Sequence, residues 1–224
     1  QLLLEADKKQ GMIINSGPTG SGKTTTLYSI INQINSPDKK IISIEDPIEY
    51  QVAGVSQTQI EEAKGYTFEN GLRAIVRQDP DVILVGEIRD EATAEIAVHA
   101  ALTGHLVLTT VHANSAAGVV GRLVDLGVKP ALIAPAANVF IAQRLLRKLC
   151  SNCKEKYEPA QETIDIIKKM LSLISPRAKV EVPNKIEHLW RAKGCPKCHG
   201  LGYKGRIGIF EILAMEEKVQ KLVE

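Results

Sequence analysis

The sequence predicts an α/β fold built on a mostly parallel sheet. Three observations carry that prediction: short continuous apolar runs of strand length, helical apolar spacing between them, and a glycine-rich loop joining the first run to the first helix. Strands buried on both faces read as unbroken apolar runs, and parallel neighbours need a crossover, usually a helix.

MIIN (12–15) reads as the first buried strand. The helix after the glycine loop places Leu27, Ile30, Ile31 and Ile34 at i, i+3, i+4, i+7. SPDKK (36–40) is a turn, and IISI (41–44) a second strand. GYTFENGLRAIVRQ reads as a helix capped by Thr67, stopping near Asp79-Pro80 because a residue before proline avoids the helical region. VILV (82–85) is a third strand, 90–102 a helix ended by Gly104, and LVLTTV (106–111) a fourth strand. Residues 115–126 and 131–149 read as further helices. The alternation stops near Cys150; a lysine-rich helix (162–174), a Pro/Lys-rich stretch (176–185) and a strand, GRIGIFEIL (205–213), follow. These divisions predict a core at 1–149, a cysteine-bearing insertion at 150–204, and a C-terminal strand and helix at 205–224 that return to the core.

Composition narrows the classes. The 224 residues are 44% hydrophobic and 24% charged, as in a soluble globular protein. A net charge of +2 and 4% aromatics give no reason to expect nucleic acid. No apolar run approaches the roughly 18 residues of a membrane span. The start, QLLLEADKKQG, has no signal-peptide pattern and no initiator Met, so the expectation is a cytosolic protein whose full length is greater.

GPTGSGKT (17–24) fits G-x-x-x-x-G-K-[ST], between strand and helix as that loop requires. The expected ATP-binding stretch is Gly17, Pro18, Thr19, Gly20, Ser21, Gly22, Lys23, Thr24 and Thr25, where backbone N–H groups from Thr19 to Thr24 would curl around a phosphate chain at the positive end of a helix dipole. Lys23 would reach the β- and γ-phosphates of ATP, and the Thr24 hydroxyl would hold Mg²⁺. The acids such a site needs stand at strand ends: Glu45, Asp46 and Glu49 after the second strand, Glu87 after the third. Glu87 would hold Mg²⁺ through water or orient the nucleophile. Asp81, at the other end of its strand, caps or turns. His112 lies at the active edge and reads as a γ-phosphate sensor. His105, at the opposite end, reads as structural or interfacial, and His99 as a partner of Glu95.

Two Cys-x2-Cys pairs, Cys150/Cys153 and Cys195/Cys198, predict a closed Zn²⁺ site without a catalytic position. His199 is a possible substitute ligand that four thiolates do not need. KKMLSLISPRAK (168–179) reads as a solvated face.

Taken together, GPTGSGKTTTLY, IEDPIEY, DPDVILVGEIRD and TGHLVLTTVHANS resemble the Walker A loop, Asp box, Walker B segment and His box of the bacterial secretion ATPases, the motors of type II secretion and type IV pilus assembly. The cysteine tail is similar to that of the secretion and pilus-extension members. The resemblance implies a RecA-like core and a homo-hexamer. It implies Glu49 as catalytic glutamate with Glu45 nearby, Glu87 as the Walker B glutamate, and His105 and His112 as His-box residues. It also implies a cytoplasmic location peripheral to the inner membrane, where hydrolysis drives a platform protein. Family members bring arginines to the nucleotide from an upstream domain that this chain starts too late to contain. The candidates here are Arg73, Arg77, Arg89 and Arg144. Two other classes stay open: a nucleic-acid-dependent P-loop ATPase, and a nucleotide-gated scaffold that does not hydrolyse.

Overall fold

The computed structural model describes residues 2–174, 183 and 185–223. They form two compact units, one of residues 1–145 with 208–224, the other of residues 146–207. Most of the Pro/Lys-rich stretch expected at 176–185, and the end of the basic segment 168–179, lie outside the described residues.

The chain opens with α1 (Leu2–Ala6), β1 (Gly11–Ser16) and α2 (Lys23–Ile34). It continues through β2 (Ile41–Glu45), β3 (Val55–Gln59), α3 (Phe68–Val76), β4 (Val82–Val85), α4 (Glu91–Leu102) and β5 (Leu106–Val111). Then come α5 (Gly118–Asp125), α6 (Pro130–Ala136) and β6 (Ala137–Leu149). β7 (Glu155–Tyr157), α7 (Gln161–Ser172) and β8 (Leu189–Arg191) precede β9 (Tyr203–Ala214) and α8 (Glu217–Val223).

The main sheet runs β3-β2-β4-β5-β1-β6-β9. Every pair from β3 to β6 is parallel. Met215 N–H donates to Asn138 O and Cys150 N–H to Gly202 O, the order of an antiparallel last pair. The central strands are mostly apolar because each face has its own cover. Ile13, Ile41, Leu84, Leu108, Val139 and Ile141 pack with Leu27, Tyr28 and Ile31 of α2. Met12, Ile14, Ile42, Ile44, Val85 and Phe140 turn the other way, among residues of α3, α4, α5 and α6. This alternation is the period-2 signature of a pleated strand, with apolar residues needed on both sides.

The helix predicted at 131–149 is not there. Only Pro130–Ala136 is helical, and the next thirteen residues are β6, paired in parallel with β1. Leu132, Ile133, Phe140 and Ile141 mimic helical spacing, but Val139, Phe140 and Ile141 alternate between the two cores. Pairing with β1 outweighs a weak local preference. β3 was not predicted at all: VSQTQ has one apolar residue, and it is a strand because β2 supplies its hydrogen-bond partner along the full register.

Candidate functional site

Parallel pairing brings the ends of four strands to one edge. Ser16 of β1 is opposite Val111 of β5, Val85 of β4 opposite Thr109, and Ile44 of β2 opposite Val85. The glycine loop, His112, Glu87 and the acids after Glu45 therefore leave the sheet on the same side, where such sheets bind ligands. His105 immediately precedes β5 at the other edge; its Nδ1–H donates to Ala100 O at 3.0 Å and its carbonyl accepts from Gly11 N–H. Asp81 is also there, its carboxylate accepting from Lys40 N–H at 2.7 Å. His99 Nε2 is 3.9 Å from Glu95.

The loop's shape depends on glycine at two points. A Cβ on Gly17 (φ +147°) would lie 2.4 Å from Gln143 O, and Gly22 takes φ +88° immediately before α2. Gly22 offers no side chain to cap α2, so the helix presents its first N–H groups, a ready anion site. Pro18, Thr19 and Gly20 are exposed, Ser21 is buried and Thr24 half-buried. Lys23 Nζ curls over the loop, donating to Gly17 O at 3.0 Å and Pro18 O at 3.2 Å. Burial pushes its ammonium below the usual lysine range, against the pull of the Glu87 carboxylate.

Glu87 is held by its surroundings. Ile88 N–H donates to Thr110 O, and Thr110 Oγ1–H donates to Gly86 O at 2.8 Å, pinning the turn after β4 against β5. That places Glu87 Oε2 3.5 Å from His112 Nε2, while Arg89 donates to Oε1. The Arg89 hydrogen bond holds the Glu87 carboxyl below the usual range; burial opposes it, and the charges of Arg89, His112 and Lys23 add to it. Arg89 also reaches toward Asp46, at 4.0 Å. The turn bearing Glu87 touches the Asp-box turn directly: Gly86 N–H donates to Ile44 O, and a Cβ on Gly86 would lie 3.3 Å from Glu45 Cα. Glu49 is exposed in the loop beyond, whereas Glu45 is buried. Asp90 takes no part, accepting from Thr93 N–H as the cap of α4.

Of the arginines, Arg144 is the one beside the loop. Its guanidinium donates to Asn114 O at 3.0 Å and to Gln143 O at 3.3 Å. Arg73 is paired with Glu69 on α3.

Sequence reasoning missed Gln143. It is 3% exposed, and its Oε1 accepts from Asn15 Nδ2 at 2.8 Å and Thr26 Oγ1 at 2.9 Å, tying β6 to β1 and α2 beside the glycine loop. A lone glutamine in a stretch read as helix carries no signal; only strand pairing reveals it. Gln143→Leu is expected to cost about 1–3 kcal/mol, because Asn15 stays buried without its acceptor. Denaturant unfolding of the variant checks this.

In the second unit the four cysteines converge. Their Sγ atoms lie within 4.8 Å of one another, with Cys153–Cys198 and Cys195–Cys198 both at 3.7 Å. Zn–S bonds of about 2.3 Å in a tetrahedron put sulfurs about 3.8 Å apart, so the donor set fits Zn²⁺. Cys195 and Gly202 N–H groups each donate to Cys198 Sγ at 3.2 Å, and Asn152 Nδ2 to Cys195 Sγ at 3.5 Å. Such donors support thiolate charge around a metal. His199 is outside the cluster, in the left-handed turn after Cys198.

A family model described as "Type II/IV secretion system protein" matches residues 1–224. The type II secretion system ATPase E of Vibrio cholerae is 48% identical over 218 residues, covering 96% of this chain and 41% of that protein. The type IV pilus assembly ATPase PilB of Thermus thermophilus is 44% identical, covering 96% of this chain and 23% of its own length. Among solved structures, the pilus retraction motor PilT with bound ADP matches with a TM-score of 0.69 and 31% identity, over 99% of this chain and 52% of that one. The chain thus spans about two fifths of the first of these relatives, or less.

Proposed function

The chain belongs to the type II/IV secretion system protein family, and on that premise we propose that it is the ATP-hydrolysing part of a homo-hexameric motor that assembles a type IV pilus or a type II secretion pseudopilus. The observation that carries the reading is the single edge where an uncapped helix start, Lys23, Glu87 and His112 meet. The loop amides and Lys23 bind the phosphate chain of ATP. Mg²⁺, held by the Thr24 hydroxyl and by Glu87 through water, would neutralise charge on the terminal phosphates. Glu49 accepts the proton of the attacking water. His112, bridging toward Glu87, senses the γ-phosphate. The tetracysteine unit is a structural Zn²⁺ module. The protein acts in the cytoplasm, against an inner-membrane platform protein.

Phosphate release and metal content test this together. Turnover with Mg²⁺-ATP is expected to be lost in Lys23→Ala while one Zn²⁺ per chain stays bound; unchanged turnover would refute the site. This chain alone is expected to bind nucleotide yet hydrolyse it far more slowly than when joined to the upstream region of the Vibrio cholerae relative. An arginine that reaches the transition state is worth about 10³–10⁵ in rate in other P-loop enzymes. Equal rates would show that the arginines of this chain suffice.

One observation favours a second reading. Residues 146–207 hold fourteen lysines and arginines against six acids, a net +8, while the remaining residues hold fourteen against twenty, a net −6. A basic unit can attract nucleic acid. Stimulation of turnover by DNA or RNA would favour a nucleic-acid-dependent ATPase; a rate unmoved by either favours the secretion motor.

A further inference from the structure

Beneath the loop that carries Glu49 lies a polar cluster that the proposed chemistry does not use. Glu45 is 2% exposed. One of its oxygens accepts from the Tyr28 hydroxyl. The other accepts from Ser43 Oγ–H at 2.5 Å and from Gln57 Nε2 at 3.2 Å. The registers explain the meeting. Ser43 and Glu45 are two apart on β2 and share a face, and Ser43 is opposite Gln57 on β3. That face looks toward α2, where Tyr28 is fully buried.

The cluster grips the loop between β2 and β3. Gln57 Oε1 accepts from Val52 N–H at 2.7 Å, and its Nε2 also reaches Tyr50 O at 3.2 Å. The Tyr28 ring meets Tyr50, the residue after Glu49, edge-on, centroids 4.6 Å apart, and the Tyr28 oxygen accepts from Gln57 Nε2 at 3.3 Å. Burial, then the neighbouring Glu45, keeps the Tyr28 hydroxyl protonated well above its usual range, so it remains a donor. Tyr28 lies four residues after Thr24, one turn along the same face of α2. A buried carboxylate is strongly unfavourable unless donors satisfy it, and its worth is then in fixing one arrangement.

We propose that Tyr28 and Gln57 are positioning residues, which act through buried Glu45 to set the place of Glu49 from the helix that holds the phosphates. Glu45 anchors the loop and does not meet the attacking water; IEDPIEY by itself left either glutamate in play. The inference rests on the reading of Glu49 as proton acceptor. Moving a catalytic group by about 1 Å costs on the order of a hundredfold in rate, whereas the phosphate grip of α2 needs none of these contacts.

The test is phosphate release by the full-length protein with Mg²⁺-ATP, read as kcat and KM and as single-turnover rates. Tyr28→Phe and Gln57→Leu are each expected to lower kcat about tenfold to a hundredfold, with KM within about twofold. Gln57 is half-buried on an edge strand, so its replacement leaves the core intact if Tyr28→Phe does not fold. In a Glu49→Gln background the Tyr28→Phe loss is expected to vanish, since both act on one step. Losses that appear in KM, or that multiply with that of Glu49→Gln, would overturn the inference. So would wild-type kcat in both variants beside an inactive Glu49→Gln, an outcome that spares the Glu49 reading. An active Glu49→Gln removes the reading and the inference with it.

Discussion

Stripping Zn²⁺ from the chain is expected to unfold residues 146–207 and leave the parallel sheet folded. Among the described residues of that unit only Cys150, Cys198 and Gly202 are buried, so it has almost no apolar core. Ordering a residue's backbone costs about 1–2 kcal/mol. The two-stranded β7–β8 pair and the exposed α7 have little burial with which to offset that. Four thiolates on one Zn²⁺ supply roughly 10–16 kcal/mol of apparent binding free energy, which becomes folding free energy when the apo unit is unfolded. Surface pairs such as Lys154 over Trp190 and Arg191 with Glu155 are worth at most about 1 kcal/mol each. On the zinc reading, the metal would therefore dominate. Hydrogen exchange before and after chelation checks this, with Cys198→Ser as the matching variant. Protection at β7, β8 and the cysteine turns should collapse while β1, β4 and β5 keep theirs. Undiminished protection without metal would show that the unit folds by other means.

Replacing Glu87 by glutamine is expected to reduce turnover by at least about a hundredfold while leaving nucleotide affinity within a few-fold. Removing a positioned acid or base typically costs about 10²–10⁴ in rate. On the proposed reading the phosphate grip comes from loop amides and Lys23, which Glu87→Gln leaves in place, removing only the carboxylate charge that acts on Lys23. Single-turnover phosphate release beside fluorescent-nucleotide binding separates the two quantities. Retained turnover would place the chemistry elsewhere. The same variant carries a pH signature. Arg89 holds the Glu87 carboxyl below its usual range, so the folded state favours the ionised form. That contribution is full above the unfolded value of about 4.3 and fades as pH falls through the depressed folded value. Without nucleotide or Mg²⁺, the wild type should exceed Glu87→Gln in stability at neutral pH, and the gap should close in acid.

The legible parts of the fold were those where local pattern and tertiary demand agree. GPTGSGKT between an apolar run and an amphipathic helix specifies its loop almost alone, because each glycine answers a backbone need that the strand–helix junction creates. VILV and LVLTTV have the observed bounds of β4 and β5, since a strand buried on both faces suits short runs rich in β-branched and apolar residues between polar turns. Thr67 caps α3 as its chemistry allows. The failures lie where a partner decides. The sequence of β6 suits a helix as well as a strand because its spacing satisfies either period, and its pairing with β1 leaves no local mark. β3 is a polar edge strand, which has no periodic signature of its own.

By itself, the sequence determined the glycine-rich loop between strand and helix, the apolar strands, the placing of acids and histidine at strand ends, and two closely spaced cysteine pairs. These follow from short-range chemistry, in which each residue's role is dictated by its immediate neighbours along the chain. Only tertiary structure decided that Glu45 is sealed under Tyr28 and Gln57 while Glu49 stays in solvent, that Glu87 faces His112 and Arg89, and that Gln143 braces the loop from β6. Those distinctions depend on strand order and register. Hydrogen bonding between segments far apart in sequence sets them, and no local pattern encodes it.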